Sequence, residues 1–177
     1  QTTRCLEQTA GVLASLEEKD LAVANQFRYL SRYEKCPVYQ NTAVRYFGHG
    51  SQALEQLKTD LARAEHFIFM EYFIIEDGEA FRSIRDILIQ KAWKGVDVRL
   101  MYDDIGSLGY VNWRYAAELN RQGIRCQVFN PTLPILNLFM NHRDHRKITV
   151  IDGKVGYTGG YNLQIAFSTG YLAGSNA

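Results

Sequence analysis

The chain has 177 residues, 46% of them hydrophobic, which is enough for one domain with its own core. Its formal net charge is only +1, so we do not expect the basic surface that nucleic-acid-binding domains carry. The longest apolar stretch, 67–75, is interrupted by Glu71 and is far shorter than the roughly 20 residues of a membrane-spanning helix. Three scattered cysteines favour a reducing compartment, and no signal peptide is visible.

The first part of the chain predicts helices and an extended entry into a domain. Apolar residues recur at helical spacing and are interrupted near Lys19-Asp20, which predicts two helices. Ser51 follows a glycine-rich turn and is a candidate helix cap. The predicted elements are two helices within 4–33, an extended stretch at 36–40, a strand at 43–47 and a helix from 51 to about 63.

Strands and helices then alternate. The predicted elements are a strand at 66–75, a helix at 80–93 closed by Gly95, a strand at 96–102, a helix at 111–122 and a strand at 124–129. This alternation predicts an α/β fold with a mostly parallel sheet flanked by helices on both faces. Ligands of such sheets bind beyond the carboxyl ends of the strands.

The run from His145 to Asn162 carries most of the chemical information. Side chains alternate across a strand, so His145 and Lys147 are expected to share one face with Thr149. Ile148 and Val150 are then expected to point the other way, into the core.

Asp152-Gly153 predicts a tight hairpin turn, and 154–158 the returning strand. The return would bring Gly159, Gly160 and Asn162 back toward His145. Glycines allow the backbone to approach a ligand closely, and an amide side chain can donate to a phosphate oxygen. The simplest use of these residues is a phosphate pocket.

Taken singly, these residues have simpler explanations. A histidine and a lysine two residues apart most often lie on a solvated strand face, and Asp-Gly alone is only a turn. The joint pattern H-x-K-x4-D-x6-G-G-x-N, however, specifies six identities over eighteen residues. We therefore favour a site for phosphoryl chemistry.

Three carboxylates, of Glu71, Asp103 and Asp104, are expected near the carboxyl ends of predicted strands. Glu71 interrupts an apolar strand, where a charge is costly unless paired, so it is a candidate for contact with a polar site. Asp103-Asp104 precedes Ile-Gly-Ser and is equally well explained as turn chemistry.

The six motif positions resemble the phospholipase D superfamily, and further stretches resemble the amino-terminal catalytic half of bacterial cardiolipin synthases. The stretches are 37–39, 71–78, 102–107, 128–131 and 141–147. The resemblance implies a phospholipase D-like α/β/α sandwich, of which this chain would form one half. We expect three parts of the chain: a helical lead-in and linker (1–40), a phospholipase D-like domain (41–165), and a disordered or artificially added tail (166–177).

The resemblance implies a two-step transfer through a phosphohistidine, in which a second histidine protonates the leaving alcohol. The implied catalytic residues are His145, Lys147 and Asp152, and the substrate-binding residues are Asn162, Gly159, Gly160 and Glu71. Asp152 lies seven residues after His145, so on an ideal strand the two side chains point to opposite faces. Asp152 is therefore expected to orient a histidine or a backbone amide rather than touch substrate. Neither a metal nor another cofactor is required, and the cysteines show no paired spacing.

The chain carries one such motif where family members carry two, so a second half in a longer chain or a homodimer partner is expected. The implied partners are anionic phospholipid, in particular phosphatidylglycerol, and the cytoplasmic side of the cell membrane. The apolar stretch 133–140 would suit acyl chains, although packing over the sheet explains it as well. Two alternatives stay open: a single-motif nuclease acting as a homodimer, and an inactive isolated half.

Overall fold

The computed structural model describes residues 2–40, 42–132 and 142–159. It divides into two compact units, the first ending at Ala43 and the second beginning at Val44. In the first unit α1 (Thr2–Glu17) packs against α2 (Leu21–Tyr33). The Asp20 carboxylate caps α2 by accepting the N–H groups of Ala22 and Val23, which explains the interruption seen in the sequence. The two predicted helices are confirmed.

The second unit contains the alternating elements. They are α3 (Gly50–Arg63), β1 (Phe67–Tyr72), α4 (Glu79–Trp93), β2 (Asp97–Asp103), α5 (Tyr115–Arg121), β3 (Arg125–Phe129), β4 (Lys147–Ile151) and β5 (Val155–Gly159). The strand predicted at 43–47 is wrong: residues 42–47 are irregular, and Val44 and Tyr46 are exposed. The helix predicted from Val111 begins only at Tyr115, because the preceding residues form turns. No helix within the described ranges is both long and apolar enough to cross a bilayer.

The five strands form one mixed sheet in the order β3-β2-β1-β4-β5. Strands β1, β2 and β3 are parallel, whereas β4 is antiparallel to both β1 and β5. The α/β prediction is confirmed as a mixed sheet flanked by helices, although the helices that the structure describes pack on one face of it. The antiparallel pair arises because the turn after Ile151 returns the chain directly, without a crossover helix.

Helices α3, α4 and α5 pack on one face of the sheet. The strand register places Ile68, Leu100 and Ile151 on that face, where they join the helix residues Leu61 and Leu88 in a single core. Thr149, on the same face, is fully buried. The expectation that Ile148 and Val150 face the core is therefore wrong: they line the opposite face, over which no described helix packs.

The β4–β5 hairpin is tied to the start of β1 by Asp152. Asp152 and Gly153 both have positive φ, 53° and 67°, as the predicted tight turn requires. The Asp152 carboxylate accepts the backbone N–H groups of Glu65, His66 and Phe67, each at 2.8 Å. Burial alone would raise the pKa of Asp152, but these three donors outweigh it and hold the pKa below its ordinary value. The carboxylate therefore joins two segments far apart in sequence.

We expect Asp152→Ala to destabilise the protein by on the order of 2–3 kcal/mol at pH 7, since three charge-assisted hydrogen bonds and an accommodated positive φ are lost. Asp152→Asn, which tolerates the same backbone and keeps one acceptor, should lose less. Because the folded-state pKa is lowered, the stabilisation is present above the unfolded pKa and is lost as pH falls through the folded value. Urea unfolding at pH 7 and pH 3 measures this, and an alanine variant as stable as the parent at pH 7 would contradict it.

Candidate active site

The motif residues meet at the edge of the sheet where the parallel strands end. Because β4 runs antiparallel to β1, its first residue, Lys147, pairs with Tyr72 at the end of β1 and with Gly159 at the end of β5. His145 lies two residues before Lys147 and is exposed. The structure thus brings His145, Lys147 and Gly159 to the edge expected for a ligand. Gly160 and Asn162 lie outside the described residues, as does the apolar stretch 133–140.

One aromatic ring, that of Phe73, contacts both His145 and Lys147. The Phe73 ring stacks on the His145 imidazole, with centroids 4.1 Å apart and planes 29° from parallel. The Lys147 ammonium nitrogen lies 5.2 Å from the centroid of the same ring and donates to the His145 carbonyl oxygen at 2.8 Å. The ring holds the imidazole by its face, so the imidazole edge, which carries both nitrogens, is not used for this contact.

The segment containing Phe73 is held by the loop that follows β2. A Cβ on Gly106 would collide with the Phe73 carbonyl oxygen, so only glycine permits this approach. The buried Ser107 hydroxyl accepts the N–H of Ile75 at 3.0 Å and donates to the Phe73 carbonyl at 3.4 Å. The loops after β1 and β2 are thereby joined beneath the Phe73 ring.

The backbone leading into His145 is held by Asp103. This carboxylate is fully buried at the end of β2 and accepts the N–H groups of Asp144, at 3.0 Å, and Gly106, at 2.9 Å. The Arg143 guanidinium lies 3.4 Å from it. Asp104 accepts the N–H of Thr132 at 2.5 Å. The turn interpretation of Asp103-Asp104 is confirmed, and Asp103 also positions the residue next to His145.

On the other side of His145, Arg146 bridges two carboxylates. Its guanidinium contacts Asp144 at 2.9 Å and Glu71 at 2.5 Å. Burial and the neighbouring Asp144 carboxylate raise the pKa of Glu71 to about 7. Burial also raises the pKa of Asp144, but hydrogen bonds with Glu71 and Arg146 outweigh it and hold that pKa below its ordinary value. His145 is therefore an exposed side chain between two anchored neighbours.

Two predicted site residues lie apart from His145 and Lys147. Glu71 points to the face of Ile148, opposite that of Lys147, and is engaged by Arg146. Substrate contact by Glu71 stays a prediction that this pairing does not favour. Asp152 lies at the far end of β4, where it binds backbone amides, as its strand parity indicated. Its position is that of a structural anchor rather than a group in contact with the reacting atoms.

Sequence reasoning missed the groups that hold the motif in place. Phe73 looked like part of a buried strand, although it follows the last residue of β1. Arg143 lies just before the motif and is not among the site residues predicted from the sequence, yet its side chain is only 8% exposed. The sequence signal for these supporting side chains is the run Arg143-Asp144-His145-Arg146, in which an acidic residue lies between basic ones. Adjacent opposite charges before a strand indicate local pairing.

A groove of about 580 Å³ lies on the sheet face opposite the helices, away from His145. It is lined in part by Phe69, Arg99, Met101 and Val150. We do not assign the chemistry to it, because Glu71 lines it whereas His145, Lys147, Asp152 and Gly159 do not. Within the described part of the chain, no group of three or more histidine, cysteine or carboxylate side chains is arranged to hold a metal ion.

We expect Glu71→Gln to alter how stability depends on pH. A raised carboxyl pKa favours the protonated form in the folded state, so the stabilisation is present below the unfolded pKa and is lost as pH rises through about 7. The glutamine variant should gain on the order of 1 kcal/mol relative to the parent between pH 5 and pH 8. Thermal unfolding across this range tests it, with Glu76→Gln, at an exposed position, as matched control. Parallel pH profiles for parent and Glu71→Gln would contradict the expectation.

Comparison with known proteins identifies relatives of this chain. Residues 57–167 match the family model described as cardiolipin synthase, PLD-like domain. The chain is 41% identical over 138 residues to a cardiolipin synthase 2 of Bacillus cereus and 37% identical over 142 residues to a cardiolipin synthase of Halalkalibacterium halodurans. In each case 77% of this chain and 27% of the relative is covered. An uncharacterised protein of Streptococcus mutans is 45% identical over 152 residues, covering 86% of this chain and 33% of that protein.

The chain thus spans about a third or less of the length of these relatives. Among solved structures, Nuc of Salmonella typhimurium, a phospholipase D family member, is similar with a TM-score of 0.45 and 21% identity, covering 63% of this chain and 66% of that one. The family match includes β1 to β5 and every residue of the motif. The chain belongs to the cardiolipin synthase family of phospholipase D-like domains.

Proposed function

We propose that this chain supplies one of the two histidine motifs of a phosphatidyltransferase. The observation that carries the proposal is the pairing of an exposed imidazole, His145, with the Lys147 ammonium on one aromatic ring at the carboxyl edge of the sheet. A nucleophile or acid needs access to substrate, and a nearby cation stabilises the charge that develops on phosphoryl oxygens. Gly159 lies opposite Lys147, and packing does not require a glycine there, since a Cβ would meet nothing within 4 Å.

The proposed reaction has two displacements at one phosphorus atom. An imidazole nitrogen of one histidine attacks phosphorus, the bond from phosphorus to the leaving glycerol oxygen breaks, and the second histidine gives that oxygen its proton. An acceptor hydroxyl then attacks the phosphohistidine, loses its proton to the second histidine and releases the first. Lys147 neutralises the charge on the phosphoryl oxygens in both steps, and the Asn162 amide donates hydrogen bonds to them. His145 takes one of the two histidine roles, and a second motif takes the other.

The proposed donor is phosphatidylglycerol, and the proposed products are cardiolipin and glycerol. Support comes from the relatives named cardiolipin synthase and from the near-neutral charge of the chain, which gives little attraction for nucleic acid. These cardiolipin synthases are nearly four times as long as the matched region, which leaves room for a second motif in the same polypeptide. A second copy of this chain is the other possible source of that motif.

We expect His145→Ala to lower phosphatidyl transfer by at least about 1,000-fold in the protein assembled with its second motif, because the nucleophile or acid is lost. Folding should be unchanged, since His145 is exposed. Turnover of phosphatidylglycerol to cardiolipin measures this. His66→Ala, which removes an exposed histidine at the opposite end of β1 from the motif, is the matched control. Near-normal turnover by the His145 variant would remove His145 from the mechanism.

A second test addresses the need for two motifs and the class of substrate. The isolated 177-residue chain should be inactive as a monomer, because one imidazole cannot be both phosphoryl carrier and proton donor in the same step. Activity per chain should therefore rise with association, as followed by light scattering, or on addition of the second half.

To test the class of substrate, phosphatidylglycerol vesicles and single-stranded DNA are offered in parallel without added metal. Turnover by a strictly monomeric species, or cleavage of DNA with no lipid product, would overturn the proposal.

A further inference from the structure

The β2–α5 loop, residues 104–114, exposes large apolar side chains beside the candidate active site. Three of them are among the most exposed apolar residues of the second unit: Trp113 at 84%, Leu108 at 74% and Tyr110 at 51%. Such exposure is costly in water unless the side chains have another surface to contact.

The loop is ordered by its own contacts. Ser107 is buried, its N–H donates to the Asp103 carbonyl, and its own carbonyl accepts the N–H groups of Tyr110 and Val111. Gly109 has φ of +86°, which turns the chain outward between Leu108 and Tyr110. The exposed residues therefore stand on a fixed turn and are not the ends of an irregular segment.

The position of the loop ties it to the chemistry. It leaves β2 at the carboxyl edge of the sheet, and Gly106 packs directly on the backbone of Phe73, whose ring stacks on His145. The neighbouring loop, joined to it by Ser107, adds the exposed Ile74. An apolar surface thus adjoins the site that would receive a lipid phosphate.

The chemistry of the loop fits a phospholipid interface. Tryptophan and tyrosine are the side chains that collect where headgroups meet acyl chains, because each has an apolar body and a polar tip. The exposed stretch 108–114 contains no carboxylate and one cation, Arg114, whose guanidinium lies 4.5 Å from the Trp113 ring centroid. The nearest acidic residue of the loop, Asp104, is half-buried and accepts the N–H of Thr132.

We propose that Leu108, Tyr110, Trp113 and Arg114 form a membrane-contact surface that seats the active-site edge against the headgroup layer of an anionic phospholipid bilayer. The surface rests on the proposed function for its lipid substrate, and it adds where and how the protein meets the membrane. It allows a phosphate to reach His145 and Lys147 while the acyl chains stay in the bilayer.

The chain contains only two tryptophans, and they lie at opposite edges of the sheet, which gives a matched comparison. Trp113 precedes α5 at the active-site edge, whereas Trp93 ends α4 at the other edge and is similarly exposed, at 77%. The variants Trp93→Phe and Trp113→Phe therefore each report one edge by fluorescence. The probe is a vesicle of phosphatidylglycerol and phosphatidylcholine with brominated acyl chains.

In the Trp93→Phe variant the remaining tryptophan is Trp113, and we expect it to lose roughly half of its emission on vesicle binding. In the Trp113→Phe variant the remaining tryptophan is Trp93, and we expect it to keep its emission. Trp113→Ser should lower the vesicle partition coefficient roughly tenfold, and Trp93→Ser should leave it unchanged. Circular dichroism checks that each variant is folded.

Four outcomes would contradict the proposed membrane-contact surface. They are no binding to vesicles, bound protein with unquenched Trp113, equal quenching of both tryptophans, and an effect of Trp113→Ser on self-association alone. The last would assign these residues to a protein interface. Quenching requires no turnover, so the two proposals can fail separately. Selective quenching without phosphatidyl transfer removes only the proposed function, and transfer without quenching of Trp113 removes only the membrane-contact surface.

Discussion

The site depends on one buried charge, the Asp103 carboxylate at the end of β2. A carboxylate without solvent is stable only when its oxygens are satisfied, and here the N–H groups of Gly106 and Asp144 and the Arg143 guanidinium surround it. These partners come from two separate segments, the loop after β2 and the backbone before β4. Satisfying one charge therefore brings the residue next to His145 to the edge where the parallel strands end.

The remaining contacts at this edge follow from that junction. With the loop after β2 held by Asp103, Gly106 can approach the Phe73 carbonyl and Ser107 can bind both Phe73 and Ile75. Phe73 then lies under His145 and Lys147. The same loop carries the exposed residues from Leu108 to Arg114 outward. The candidate active site and the proposed membrane-contact surface thus share one support, so a disturbance at Gly106 would affect both.

The two faces of the sheet have different roles at this site. Lys147 and the fully buried Thr149 lie on the helix-covered face, where the Tyr72 hydroxyl hydrogen-bonds the Thr149 hydroxyl at 3.0 Å. Arg146 and Glu71 lie on the opposite face, at the end of the groove lined by Arg99 and Val150. The motif strand is therefore held from both sides by polar contacts. Lys147 begins a rigid strand rather than a loop, which favours a fixed position for its ammonium group.

The sequence by itself determined the α/β alternation, the hairpin at Asp152-Gly153 and the meeting of His145, Lys147 and Gly159, because these follow from local periodicity, turn chemistry and strand parity. It did not determine which face of β4 is buried, and the predicted strand at 43–47 pairs with none of the strands that the structure describes. Those outcomes depend on packing and strand pairing between distant segments. The positions of Phe73, Asp103 and Arg146 around His145 were likewise decided only by tertiary structure, since each acts through a partner that no local pattern specifies.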